Sequence, residues 1–247
     1  MSRMRTYIPN FFTMLNLGSG CVATVFAVLG KLEWAALFVF LGIFFDFFDG
    51  LAARALKVQS ELGVQLDSLA DMVTSGLVPG LVMFQLLNMA GRGGWNLGFL
   101  GHDMEMTLLP FLGFAITLAS AYRLAKFNLD ENQTSSFVGL PTPANALMIL
   151  SLPLILLHHN NDWLNSLILN PWFLIGLTLL SSYLLNAPIA LFALKFKNFG
   201  FGDNWLRYLF LIGSLIMLLT LKFLAIPLII IFYILASFLM PKEPSVD

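Results

Sequence analysis

The chain has 247 residues; 58 % are apolar, 24 are Phe and only 11 % are charged, against about 45–50 % apolar and about 25 % charged in soluble domains. Thirteen basic and fourteen acidic residues leave a net charge of −1, too balanced for electrostatic nucleic-acid binding, and a single cysteine excludes an internal disulfide framework and a Cys-based zinc site. With a mean hydropathy of +0.84, no soluble core hides so much apolar surface, and the composition predicts an all-α, multi-span membrane protein.

Apolar windows predict eight helices, over 8–30, 33–56, 67–90, 107–127, 143–160, 170–194, 204–221 and 224–240. All are too long for barrel strands. The first follows Arg3 and Arg5 but is long enough to span rather than be cleaved. It carries a polar stripe, Asn10, Thr13 and Asn16, and a small-residue surface, Gly18-Ser19-Gly20, suited to close helix packing. The second and third carry Asp46, Asp49, Asp67 and Asp71. The 91–106 loop is glycine-rich and reads as inert. The fourth helix ends in Arg123, Lys126 and Asn128. His158-His159 reads as a wet interfacial loop rather than a metal-ligand pair. The last two helices are divided only by Lys222 and Pro227. The expected organisation is a single membrane domain over 1–247.

Basic residues orient the bundle. With eight spans, one side receives Arg3, Arg5, Arg54, Lys57, Arg123, Lys126, Lys195, Lys197, Arg207 and Lys242, and the other only Lys31, Arg92 and Lys222. Excess Lys and Arg mark the cytoplasmic face. Both termini and the acid-bearing helix ends are therefore expected in the cytoplasm, with the protein in the inner membrane of a bacterium.

The four aspartates demand an account. An Asp near the centre of a membrane helix costs about 2.5–3.5 kcal/mol, less near the interface. Only Arg54 and Lys57 are close in sequence, too few to pair four carboxylates. A divalent ion would offset the charge. Asp46 and Asp49 are spaced i, i+3; Gly63, Asp67 and Asp71 are spaced i, i+4, i+8, so each set lies along one helix face. Two such faces on a hairpin place four hard oxygen donors around one cavity. Carboxylates without His or Cys suit magnesium, manganese or calcium rather than zinc. Gly50 and Ala53 leave room beside them, and Gly63 admits a substrate to the backbone.

The stretch Asp46-x-x-Asp49-Gly50-x-x-Ala53-Arg54, eight residues, then Gly63-x-x-x-Asp67-x-x-x-Asp71 resembles the motif of the CDP-alcohol phosphotransferases. Eight positions agree over 26 residues, and at about 5 % per residue type chance agreement is about one in 10¹⁰. Pro9-Asn10-x-x-Thr13, Arg123-Leu124-Ala125-Lys126-Phe127-Asn128 and Phe137-Val138-Gly139-Leu140-Pro141-Thr142-Pro143-Ala144 are similar to blocks of the serine-transferring branch, with Lys126 where an Arg is more usual. Together these blocks cover about residues 5–150; the last three spans carry no motif.

The resemblance implies a six-helix core with extra C-terminal spans, a homodimer, and transfer of the phosphatidyl group from CDP-diacylglycerol to L-serine with release of CMP. It implies a divalent-metal site of Asp46, Asp49 and Asp67, with Asp71 completing it and serving as base, and a CDP pocket lined by Gly50, Ala53, Arg54 and Gly63. Asn10 and Thr13 either touch CDP or only cap and pack their helix. Arg123 and Lys126 are candidates for the serine carboxylate and Asn128 for its ammonium or hydroxyl; Arg123 reads equally as a positive-inside anchor, and for Lys126 the anchor is the favoured reading. An acceptor such as glycerol 3-phosphate or inositol phosphate should require more basic residues. A cation-coupled transporter is the alternative of another class, but the acidic motif has no second copy in residues 125–247.

Overall fold

The computed structural model describes residues 2–58, 60–92, 108–129, 137–191 and 200–239. Its α-helices are α1 (Ser2–Val28), α2 (Leu32–Leu56), α3 (Glu61–Asp71), α4 (Val78–Arg92), α5 (Phe114–Leu129), α6 (Thr142–His158), α7 (Asp162–Ile168), α8 (Pro171–Asn186), α9 (Phe201–Leu221) and α10 (Ala225–Leu239). A π-helical turn, Met72–Leu77, fuses α3 to α4, and a 3₁₀ turn, Leu109–Gly113, leads into α5. Tyr7–Val28, Leu32–Leu56 and Glu61–Gly91 are each long and apolar enough to cross a membrane.

The apolar stretch Asn204–Phe238 is also long enough, but it is not one rod. The rings of Phe210 and Phe232 pack against each other with centroids 5.5 Å apart, whereas about 22 residues of straight helix would separate them by about 33 Å. The chain reverses at Lys222, whose backbone takes φ 50° and ψ −123°, so α9 and α10 form an antiparallel hairpin sealed by Leu206, Phe210 and Ala236. The division expected near Lys222 is therefore a turn.

Small residues hold α1 against α2. Gly30, at φ 72°, closes the turn between them, and Ala23, Ala27, Ala35 and Val39 are fully buried along the seam. In lipid such packing and interhelical hydrogen bonds, rather than solvent exclusion, drive association. The innermost element is α4. Its Val82, Met83, Leu86 and Leu87 are fully buried in one core with Ile116, Ile149 and Leu174, and Nε2 of Gln85 donates to the carbonyls of Ala27 (3.0 Å) and Val28 (3.3 Å). Those last-turn carbonyls of α1 have no partner within their own helix.

Two elements depart from the sequence expectation. Residues 162–168 form α7, because Asn161 caps it by accepting from the backbone N–H groups of Trp163 and Leu164. Asn170 caps α8 in the same way, with Pro171 at its first position, and the two helices meet at 60°. The span expected to reach 194 ends at Asn186. Residues 190–191 instead pair antiparallel with 137–138, Phe137 opposite Leu191 and Val138 opposite Ala190. This two-residue tie leaves the all-α class intact. Most of the 91–106 loop, with Lys195, Lys197 and Lys242, lies outside the described residues.

Candidate active site

The acid-bearing helices converge at one end and separate at the other. Gly20 of α1 and Gly42 of α2 face Thr74 of the π turn; a Cβ on either would lie 2.4 Å from its Oγ1 or 2.6 Å from its Cγ2. The backbones touch there because these glycines have no side chain. Toward the 57–60 turn, α3 packs on α1 and α5 rather than on α2, so a wedge opens between α2 and α3 with α1 along its side. That turn begins at Lys57, which ends α2 in the left-handed conformation, φ 53°. Ser60 then starts α3, its Oγ accepting from the N–H of Gly63 at 3.1 Å.

Asp46, Asp49 and Asp67 line this wedge, each offering a carboxylate oxygen within 4.8 Å of the other two. Three like charges that close repel strongly in a low-dielectric setting. The hydrogen-bond donors to these acids are neutral: Thr13 Oγ1 donates to Asp49 Oδ2 at 2.7 Å, and Asn16 Nδ2 donates to the neighbouring Asp71 Oδ1 at 3.1 Å. Oδ1 of Asp67 is buried without a partner. An all-oxygen donor set with an orphaned carboxylate oxygen suits a hard divalent cation. The residues present therefore fit such an ion.

Asp71 follows Asp67 by one helical turn and faces the same acids. It lies farthest from the 57–60 turn, tied to Asn16, and it attracts the guanidinium of Arg123 across the α3–α5 interface. Arg123 is only 8 % exposed and its Nε has no hydrogen-bond partner, so it is no lipid-facing anchor. Lys126 is exposed.

Other expected residues take different places. Thr13, a candidate for CDP, instead holds Asp49; its single proton favours Asp49 over the carbonyl of Pro9, which lies at 3.2 Å. Asn128, a candidate for serine, brackets the hydroxyl of Ser68 at 3.0 and 3.1 Å, tying α5 to α3. Arg54 is exposed and folds back to donate from Nε to the carbonyl of Gly50 at 3.0 Å. Gly50 faces open space beyond that side chain, and Gly63 sits against Asn10, whose Oδ1 would be 3.4 Å from a Cβ there. Ala53 is half-buried one turn from Gly50. Asn16 was legible only as the third member of a polar stripe, yet it is fully buried and touches both Asp71 and Thr74.

The chain is 34 % identical over 151 residues to a CDP-diacylglycerol–serine O-phosphatidyltransferase of Bacillus subtilis, covering 59 % of this chain and 75 % of that protein. It is 30 % identical over 144 residues to the protein of the same description from Helicobacter pylori, covering 58 % and 55 %. It is 32 % identical over 168 residues to that of Saccharomyces cerevisiae, covering 61 % and 55 %. The chain thus spans three quarters of the first relative and about half the length of the other two. A family model described as CDP-alcohol phosphatidyltransferase matches residues 6–194, which include all four aspartates, and the chain belongs to that family.

Proposed function

We propose that the chain transfers the phosphatidyl group of CDP-diacylglycerol to the hydroxyl of L-serine, giving phosphatidylserine and CMP. The observation that carries this is the oxygen cluster of Asp46, Asp49 and Asp67, with Asp71 one turn beyond Asp67 and the buried Arg123 on the packed α5. Asp46, Asp49 and Asp67 hold a divalent ion, magnesium or manganese. When bound, the ion neutralises charge on the diphosphate oxygens and on the departing CMP.

The remaining work falls to side chains. The fork of Arg54, released from the Gly50 carbonyl, binds a diphosphate oxygen. Asn10, Gly50, Ala53 and Gly63 line the wedge and leave space for the nucleotide. The acceptor oxygen attacks the phosphorus that bears the diacylglycerol; a P–O bond forms, the bridging P–O bond breaks, and CMP leaves with its electron pair. Asn16 occupies one oxygen of Asp71, and the other takes the proton of the acceptor hydroxyl. Arg123 binds the serine carboxylate. Among the described residues Arg123 is the one buried cation, which favours serine over an acceptor carrying its own phosphate. The active site faces the cytoplasm, and the enzyme works as a homodimer.

The test is CMP release by the purified protein with CDP-diacylglycerol and manganese, serine being offered against glycerol 3-phosphate. Release that depends on serine is expected, with reversible loss on chelation. Release with glycerol 3-phosphate alone would reassign the acceptor, and full activity after verified removal of divalent ions would remove the metal.

A further inference from the structure

A hydroxyl in an apolar helix ordinarily bonds to the carbonyl one turn earlier. Thr24, Thr178, Ser182 and Thr220 do so, at 2.7–2.9 Å. Ser75 and Ser120 do not. Both are fully buried, and the Oγ of each has no hydrogen-bond partner.

Their position is specific. Ser75 follows Asp71 by four residues, in the π turn, and Ser120 precedes Arg123 by three on α5. The two elements run in opposite directions, so both serines lie one turn beyond the Asp71–Arg123 pair, away from the 57–60 turn. α5 presses closely on the π turn there: a Cβ on Gly76 would lie 3.2 Å from Cβ of Ser120, and Thr117 donates to the Gly76 carbonyl at 3.1 Å. α6 packs on the same turn, and its Asn145 is buried, with Oδ1 accepting from Ser181 of α8 and Nδ2 unpaired. Arg123 Nε is unpaired as well. Buried polar atoms without partners are rare in native proteins, and a cluster of them requires a ligand or a water.

We propose that Ser75 and Ser120, with Arg123, form the pocket for the amino-acid end of the acceptor: its carboxylate on Arg123, its ammonium on the two hydroxyl oxygens. This rests on the serine-transfer reading above. The donor and acceptor types match such a zwitterion. A guanidinium only donates and suits a carboxylate, with the amide of Asn145 as a further donor; hydroxyl oxygens accept from an ammonium. The acceptor's own hydroxyl then points back to Asp71. The pocket takes a small α-amino acid, and it discriminates against hydroxy compounds lacking either charge. Asn128, occupied by Ser68, and exposed Lys126 have no part in it.

Kinetics of the full chain in detergent with CDP-diacylglycerol and manganese test this, using L-serine as substrate and 3-hydroxypropionate and ethanolamine as competing ligands. Ser75→Ala and Ser120→Ala should each raise the half-saturating serine concentration about tenfold or more, the loss of one charge-assisted bond. Ethanolamine inhibition should weaken in parallel, while 3-hydroxypropionate inhibition and the half-saturating CDP-diacylglycerol concentration stay unchanged. Arg123→Ala should show the converse pattern for the two inhibitors. If serine saturation is unmoved in both serine variants, the pocket is wrong and serine transfer stands. If all constants and the thermal midpoint shift together, the two serines are packing groups and the proposal falls. If the wild-type chain releases no CMP with serine, the functional reading fails and this pocket with it.

Discussion

The Thr13–Asp49 bond shows how a single hydroxyl can hold a carboxylate for a metal. At 2.7 Å it orients one oxygen of Asp49 and leaves the other for the cluster. Outer partners of this kind are commonly worth about ten- to a hundredfold in metal affinity. Thr13→Val should therefore raise the manganese concentration for half-maximal activity by about that factor, and Thr13→Ser should restore it; a metal titration decides. Asp46→Asn, Asp49→Asn or Asp67→Asn should abolish activity while the protein still inserts, because an amide cannot supply the missing charge. Arg123 and Lys126 make a second contrast. Burial beside Asp71 gives Arg123 a charge-assisted bond to offer, so Arg123→Ala should raise the half-saturating serine concentration about ten- to a hundredfold. Lys126→Ala, at an exposed position, should leave it within about twofold. Equal effects would return Arg123 to the role of a surface anchor.

At the level of elements, the π turn is the joint on which the site depends. It sets Thr74 between Gly20 and Gly42 while aiming Asp71 at Asn16 and Arg123. π-helical turns inside α-helices often mark functional sites. Gly42→Ala drives a methyl against Cγ2 of Thr74 and Oδ1 of Asn16. Overpacking of this kind costs about 1–3 kcal/mol. The variant should unfold at lower temperature in detergent, and adding Thr74→Ser, which deletes Cγ2 but keeps the hydroxyl, should recover part of the loss. Gly18→Ala, with nothing within 4 Å of its Cβ, should behave as wild type. A drop in both glycine variants alike would remove the Thr74 contact as the cause, since alanine is the better helix former at either site.

Across the whole molecule, antiparallel alternation of the spans puts the start of α1 and the 57–60 turn on one side of the membrane, with residues 159–161 on the other. The basic asymmetry of the sequence leads us to propose that the first side is the cytoplasmic one. In a Cys21→Ser background, a cysteine at Asn160 should react with an impermeant thiol reagent on intact cells, and one at Glu61 only after lysis. The reverse pattern would invert the topology. The α9–α10 hairpin lies beyond the last matched residue, 194, and it packs on α6 and on residues 190–191 without reaching the acid cluster.

The all-α membrane class, the positions of most helices and the acidic motif were legible in the chain itself, since apolar length and i, i+3, i+4 spacing are local properties. The reversal at Lys222 was marked by a charge in an apolar run. The short α7 escaped because a helix of seven residues gives no periodic signal. Which polar residue meets which was not local. Thr13 and Asp49 are 36 residues apart, Asn16 and Asp71 55, and Ser68 and Asn128 60. Two isolated serines in apolar helices look like any others until the packing of α5 on the π turn strands their hydroxyls. Tertiary structure alone gathered Asp46, Asp49 and Asp67 and buried Arg123 on the neighbouring α5, because both outcomes depend on where one helix axis crosses another.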